Sequence, residues 1–177
     1  PYEYRKRLLA DKPLWRNVLE LAAEKASWGN APDGIYQGIA LMEGYNTYMS
    51  QVADISVRGG TIKVVKITCA VDCGQVINPS GVRAQVQSAV IFGLSAALWG
   101  QIDIDGGRVR QQNFDTMRAL RMNEIPEIDI HIVDSDRDPG GMGEPATALV
   151  APAVANAYYK ARFERIRSLP FSAHGLA

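Results

Sequence analysis

YMSQVADISVRGGTIKVVKITCAV, residues 48–71, is the stretch whose reading decides the fold class. Val52, Asp54 and Ser56 alternate with Ala53, Ile55 and Val57, the period-two pattern of a strand. Arg58-Gly59-Gly60-Thr61 reads as a hairpin turn, and the β-branched run 62–71 reads as the returning strand. Just upstream, residues 38–44 are short and mostly apolar and supply a further strand. Together these segments predict an antiparallel meander.

Working outward toward the N-terminus, residues 4–28 carry helical spacing. Leu8 and Leu9, then Leu14, Val18, Leu21 and Ala22, share a face, and Asp11-Lys12-Pro13 divides the segment into two helices. Residues 29–34, GNAPDG, form a loop. Toward the C-terminus, Asp72-Cys73-Gly74 and Asn78-Pro79-Ser80-Gly81 make turns. Residues 82–99 then read as a long helix through Val86, Ala89, Val90, Gly93, Leu94 and Ala97. Being apolar on most faces, this helix is expected to be buried in the domain or between domains, and its small residues permit close backbone approach. Gly106-Gly107 turns the chain, and Ile128, Ile130 and Ile132 alternate with Asp129 and His131 as a half-buried strand. An Ala-rich helix is expected over 151–162, with Pro152 in its first turn. The expected class is α+β, a mixed or antiparallel sheet with a long buried helix. Residues 1–35 form a helical segment and residues 36–177 a domain.

The 177 residues are 47% hydrophobic, enough for one sizeable core. Lys plus Arg is 19 and Asp plus Glu is 19, so the formal net charge is zero and nothing points to nucleic acid or to a membrane surface as partner. No run approaches the roughly 20 apolar residues needed to span a bilayer. Residues 1–7 are not a secretion signal, and the absence of an initiator Met suggests a portion of something longer. The compartment, cytoplasmic or periplasmic in a bacterium, stays open. Cys69 and Cys73 lack a second pair and a nearby His, so they read as buried thiols rather than zinc ligands.

The chemically informative segment is Gly140-Gly141-Met142-Gly143-Glu144-Pro145. Its glycines allow a ligand to approach the main chain, and a helix beginning shortly after offers free N–H groups to an anion. Glu144, held at the tip by Pro145, suits a general base if its turn is partly dry, because burial disfavours the charged carboxylate. The alternative is an ordinary turn carrying a solvated Glu.

Gly-Met-Gly-Glu-Pro, followed by residues 150–157, VAPAVANA, resembles the C-terminal signature of the xanthine dehydrogenase and aldehyde oxidoreductase family, in particular the isoquinoline oxidoreductase type of large subunit. Further blocks occur in the family's order. They are Val71-Asp72-Cys73-Gly74, Asn78-Pro79, Gln85-Val86 and Ile91-Phe92-Gly93-Leu94, then more weakly Gln112-Asn113-Phe114, Leu120-Arg121-Met122, Glu124 and Pro126-Glu127-Ile128. Residues 166–171 are similar to the family's final strand.

The resemblance implies the C-terminal portion of a molybdenum-cofactor-binding domain. The cofactor would be molybdenum on a pyranopterin, as molybdopterin or its cytosine dinucleotide. Glu144 would be the base that deprotonates the metal-bound hydroxide, so that water-derived oxygen oxidises an aldehyde or N-heterocycle. Gln85 would bond the pterin and Gly143 would let the backbone pack beside it, with no metal ligand from the protein. Electrons would leave through [2Fe–2S] clusters on an iron–sulfur small subunit, and the remaining part of the large subunit would complete an enzyme inactive without it. Gln87-Ser88 departs from the family's usual Glu-Gly after Gln-Val. Two other readings are a non-catalytic scaffold or split-subunit piece, and an anion- or nucleotide-binding module built on residues 140–144. The latter lacks a P-loop or dinucleotide fingerprint.

The remaining conspicuous residues have plainer readings. Asp72 caps a turn and Asn78-Pro79 is turn chemistry. His131 faces solvent, His174 lies in a frayed tail, and Trp15, Trp28 and Trp99 are packing residues.

Overall fold

The computed structural model describes residues 1–177. A four-stranded sheet with order β1-β2-β3-β6 forms the middle layer. β1 (Tyr36–Gly44), β2 (Thr47–Arg58) and β3 (Thr61–Asp72) are the antiparallel meander read from the sequence. Gly59 and Gly60, at φ 58° and 89°, close the β2–β3 turn in the left-handed geometry that matches strand twist. The ladder slips at Asp54/Ile55, where Val65 is an extra residue in β3. β4 (Ile104–Asp105) and β5 (Arg108–Val109) form a separate small hairpin. β6 (Glu127–Ile132) joins β3 in parallel, so the sheet is mixed. The chain between them, including α3 (Pro79–Trp99), makes the crossover that a parallel pair requires.

The two faces of the sheet hold different cores. On one face α4 (Pro145–Arg162) lies across β1 and β2, and α3 packs against α4. Ala53, Ile55, Ile67, Cys69 and Val71 meet Val86, Val90, Leu94, Val150 and Val154 there. On the other face α2 (Pro13–Lys25) covers Ile39, Val52 and Ala70 with Val18, Leu19, Ala22 and Ala23. The preceding helix α1 (Tyr2–Leu8) packs on α2. Pro13 stands at the start of α2, where a missing N–H costs nothing, which is why the break at 11–13 separates two helices.

Two glycines let α4 approach its neighbouring elements closely. A Cβ on Gly38 would lie 2.1 Å from the Ala153 carbonyl oxygen, so β1 and α4 touch backbone to backbone. A Cβ on Gly93 would lie 2.7 Å from the Thr147 carbonyl oxygen, where α3 crosses α4. The other side of α3, through Ser88, Phe92 and Ala96, is exposed in this chain, so the helix is buried on one side only.

Several sequence expectations are corrected. α4 begins at Pro145, not near residue 151, so Pro152 is inside the helix. Burial of Ala146, Leu149, Val150, Ala153 and Val154 runs across that position, and Pro152 itself stays on the exposed side. Tertiary burial outweighs the local penalty of an interior proline. Residues 166–171 form no strand; Pro170 and Phe171 are buried and lead into a 3₁₀ turn, Phe171–His174. His174 is held there against Ser168, not frayed. His131 is half-buried beside Asp129, 3.1 Å away, rather than solvent-facing. Cys69 and Cys73 are buried and free, as expected. Trp15 packs edge-on against Tyr48, and Arg118 stacks over Trp99 at 3.8 Å. No helix is long and apolar enough to cross a membrane.

Candidate active site

The Gly-rich segment is anchored by three elements distant in sequence. β1 and β2 are joined by Tyr45-Asn46 alone, since Gly44 pairs with Thr47. Both central residues have positive φ, 59° and 60°, so the connection is a tight turn of the primed kind. This turn grips the glycine segment. Gly141 N–H donates to the Tyr45 carbonyl (2.8 Å) and Thr47 Oγ1 donates to the Gly141 carbonyl (2.9 Å). Asn46 Nδ2 donates to the Asp138 carbonyl at 3.2 Å. The end of β3 holds the segment from the other side, where Gly140 N–H donates to the Cys73 carbonyl at 2.8 Å. A Cβ on Gly140 would sit 2.5 Å from Thr47 Oγ1, so the approach admits only glycine.

Asp72 is 1% exposed and is the turn cap expected from sequence, accepting from Gly74 N–H at 3.0 Å. It does more than cap. Arg137 Nη2 donates to Asp72 Oδ1 at 2.9 Å, and Arg137 Nη1 donates to Asn46 Oδ1 at 3.1 Å. The guanidinium also lies over the Tyr48 ring at 5.0 Å. One side chain thus ties β3, the β1–β2 turn and the start of the glycine segment together.

α4 presents Glu144 as its N-cap residue, and Pro145 supplies the first helical position. Gln51 on β2 fixes the first turn of α4 by donating to the Ala146 carbonyl at 2.8 Å. Glu144 is exposed, and the one hydrogen bond its carboxylate makes within the chain is from the Tyr45 hydroxyl to Oε2, 2.6 Å. No element of this chain covers it, so the dry turn expected from sequence is not made by these residues. Glu144 opens onto a cleft of about 310 Å³ whose other lining residues are Met42, Tyr45, Thr147 and Ala148. A Cβ on Gly143 would meet nothing within 4 Å, which leaves the main chain there open to a ligand. Gln85 is exposed on the first half of α3 and makes no side-chain hydrogen bond; nothing joins it to Glu144 or Gly143 within the chain. Tyr45, Asn46, Thr47, Gln51 and Arg137 were not singled out from sequence. The one local signal was the three-residue gap between the strand patterns ending at Gly44 and starting at Tyr48.

The profile of the molybdopterin cofactor-binding domain matches residues 13–126. The chain belongs to this family. The match ends before the glycine segment, but whole-chain relatives extend past it. Isoquinoline 1-oxidoreductase subunit beta of Brevundimonas diminuta is 30% identical over 96% of this chain and 22% of its own length. The membrane-bound aldehyde dehydrogenase [pyrroloquinoline-quinone] of Gluconacetobacter polyoxogenes is 34% identical over 86% of this chain and 21% of its own. The aldehyde oxidoreductase of Desulfovibrio desulfuricans superposes with a TM-score of 0.58 at 25% identity, over 70% of this chain and 14% of that one. This molybdopterin cofactor-binding domain therefore spans about a fifth of the length of the curated relatives. Of these names only that of the aldehyde dehydrogenase states a cofactor, a quinone. The family description, matched across more than half of the chain, is the broader ground and favours the pterin.

The open main chain at Gly143 admits the close approach of an organic cofactor. No group of three or more His, Cys, Asp or Glu side chains in this chain is placed to hold a metal ion.

Proposed function

We propose that this chain supplies the base-bearing wall of a molybdenum hydroxylase centre that oxidises an aldehyde or N-heterocycle with oxygen from water. The observation that carries the reading is Glu144, a solvent-facing carboxylate at the start of α4 beside the open main chain of Gly143. A bound molybdenum pyranopterin would supply Lewis acidity and a two-electron redox couple. The open main chain of Gly143 would face the cofactor, with Gln85 as a further polar contact from α3. Glu144 would accept at Oε1 the proton released as the water-derived oxygen becomes nucleophilic, while Oε2 stays bonded to Tyr45. The walls that dry this site would come from the remaining part of a large subunit. Electrons would leave through [2Fe–2S] clusters on an iron–sulfur subunit. The printed name "subunit beta" of the isoquinoline relative supports an assembly of several chains.

The test is metal and quinone analysis of the intact, natively purified assembly, followed by Glu144→Gln. The expected result is about one molybdenum per assembly, with Glu144→Gln keeping the metal and losing turnover by roughly 10²–10⁴-fold. A redox-active quinone without molybdenum would overturn the cofactor reading. Neither group in a complete assembly would favour a scaffold or an anion-binding role. Full turnover in Glu144→Gln would overturn the base assignment.

A further inference from the structure

We propose that Tyr45 is the positioning residue of Glu144, its phenol occupying Oε2 so that Oε1 is the oxygen left free to take the proton. This deepens the function proposed above and rests on Glu144 being the base. The argument begins with the turn. Tyr45 and Asn46 are both left-handed, at φ 59° and 60°. Asn suits that geometry because its short polar side chain tolerates it, whereas an aromatic side chain does not. The backbone of the turn already serves the glycine segment through the Tyr45 carbonyl, the Asn46 amide and Thr47. Any residue at 45 would provide that carbonyl, so those contacts do not account for a tyrosine.

Core packing does not account for it either. Tyr45 is 62% exposed and its ring pairs with no other aromatic. Its hydroxyl has one partner, Glu144 Oε2 at 2.6 Å, the short distance of a bond to an ionised acceptor. The pair is 99 residues apart in sequence, yet the distance is set by backbone. Gly141 N–H on the Tyr45 carbonyl fixes one end, and Gln51 on the Ala146 carbonyl fixes the other. A non-glycine residue in an unfavourable conformation, with its functional end on a reactive carboxylate, is strain retained at a working site.

The electrostatic surroundings are simple. Met42, Thr147 and Ala148, which complete the cleft, are uncharged. Arg137 is turned to Asp72 and Asn46, Asp138 contributes its carbonyl to Asn46, and Glu43 alternates away from Met42 along β1. The phenol is therefore the group that addresses Glu144. The reciprocal effect is that bonding to Glu144, and its charge, push the Tyr45 phenol above its ordinary range.

The experiment uses the intact, cofactor-loaded protein with 3-fluorotyrosine incorporated at position 45, titrated by fluorine NMR. The fluorophenol is expected to titrate at higher pH with Glu144 present than in Glu144→Gln. Equal values would overturn the pairing. Tyr45→Phe keeps the ring and removes the donor. Its kcat is expected to fall by roughly 3- to 10-fold with KM unchanged. Tyr45→Asn, which suits the turn and cannot reach Glu144, is expected to show the same loss in kcat. An unchanged kcat in both variants would overturn the proposal. A Glu144→Gln protein that turns over normally would overturn the base reading and this proposal together. An inactive Glu144→Gln with an unshifted fluorophenol would overturn this proposal alone.

Discussion

Gly38→Ala would disturb the seat of α4, and with it the position of Glu144. The added Cβ would stand 2.1 Å from the Ala153 carbonyl oxygen and 2.2 Å from the Ala157 nitrogen, whereas ordinary contact begins near 3.4 Å. Both neighbours are backbone, so no rotamer change relieves the clash, and α4 has to withdraw from β1 by roughly 1 Å in a close-packed layer. The helix buries Ala146, Leu149, Val150, Ala153, Val154, Ala157 and Tyr158, so the withdrawal loosens an entire interface. Overpacking of this kind costs about 1–3 kcal/mol, and a clash with main chain belongs at about 3 kcal/mol. The assay is hydrogen exchange by mass spectrometry on α4 peptides of the intact protein. The expected protection is lower by roughly 10²-fold, the equivalent of that free energy. A base displaced by about 1 Å should also cost on the order of 10²-fold in turnover. Protection of α4 within about twofold of the parent would refute the reasoning, because the sheet would then not be setting the height of the helix.

Other substitutions separate the roles of neighbouring residues. Gly143→Ala meets no atom within 4 Å. Thermal stability should therefore stay within about 0.5 kcal/mol of the parent while molybdenum retention in the assembly falls; unchanged retention would remove Gly143 from the cofactor contact. Arg137→Ala leaves the buried Asp72 carboxylate with only the Gly74 amide, at a cost of about 3 kcal/mol read by denaturant unfolding. Arg137→Lys should recover only part of that stability, because an ammonium does not span Asp72 and Asn46 as the planar fork does. Asp129 is pushed up by burial, but hydrogen bonds from His131 and Lys66 prevail and hold it below its ordinary value of 3.8. A carboxyl depressed in the folded state contributes stability above the ordinary value, and that stability is lost as pH falls through the lower folded value. Asp129→Asn should therefore lower the melting temperature at neutral pH and flatten its fall below about pH 4. Parallel melting curves for the two proteins would contradict this.

The secondary structure was legible where burial imposes a period on neighbouring residues. The alternation over 52–57 and the break at 11–13 appear in the fold as read, because side-chain direction along a strand or helix is fixed locally. The start of α4 was misread because Pro152 was judged by local rules, while the helix is held by a buried stripe that continues across it. The segment 166–171 has an apolar composition compatible with a strand, but it turns inward at Pro170 and Phe171 instead of pairing.

The glycine segment and Glu144 stood out in the sequence, and the structure uses Gly140 and Gly141 for close approach to Thr47 and Tyr45 rather than for left-handed backbone. The amino-acid sequence by itself determined the three-stranded meander, the break between α1 and α2, and where the glycine segment and Glu144 stand along the chain. Only the tertiary structure decided what holds that residue in place. Arg137 reaches Asp72 across 65 residues and Tyr45 reaches Glu144 across 99, distances over which no periodicity carries information. These contacts exist because the meander brings a two-residue turn beside the end of β3, and α4 crosses the sheet at the height set by Gly38. Periodicity records which face a residue turns toward the core; which distant residue it meets there depends on topology and on close packing between layers.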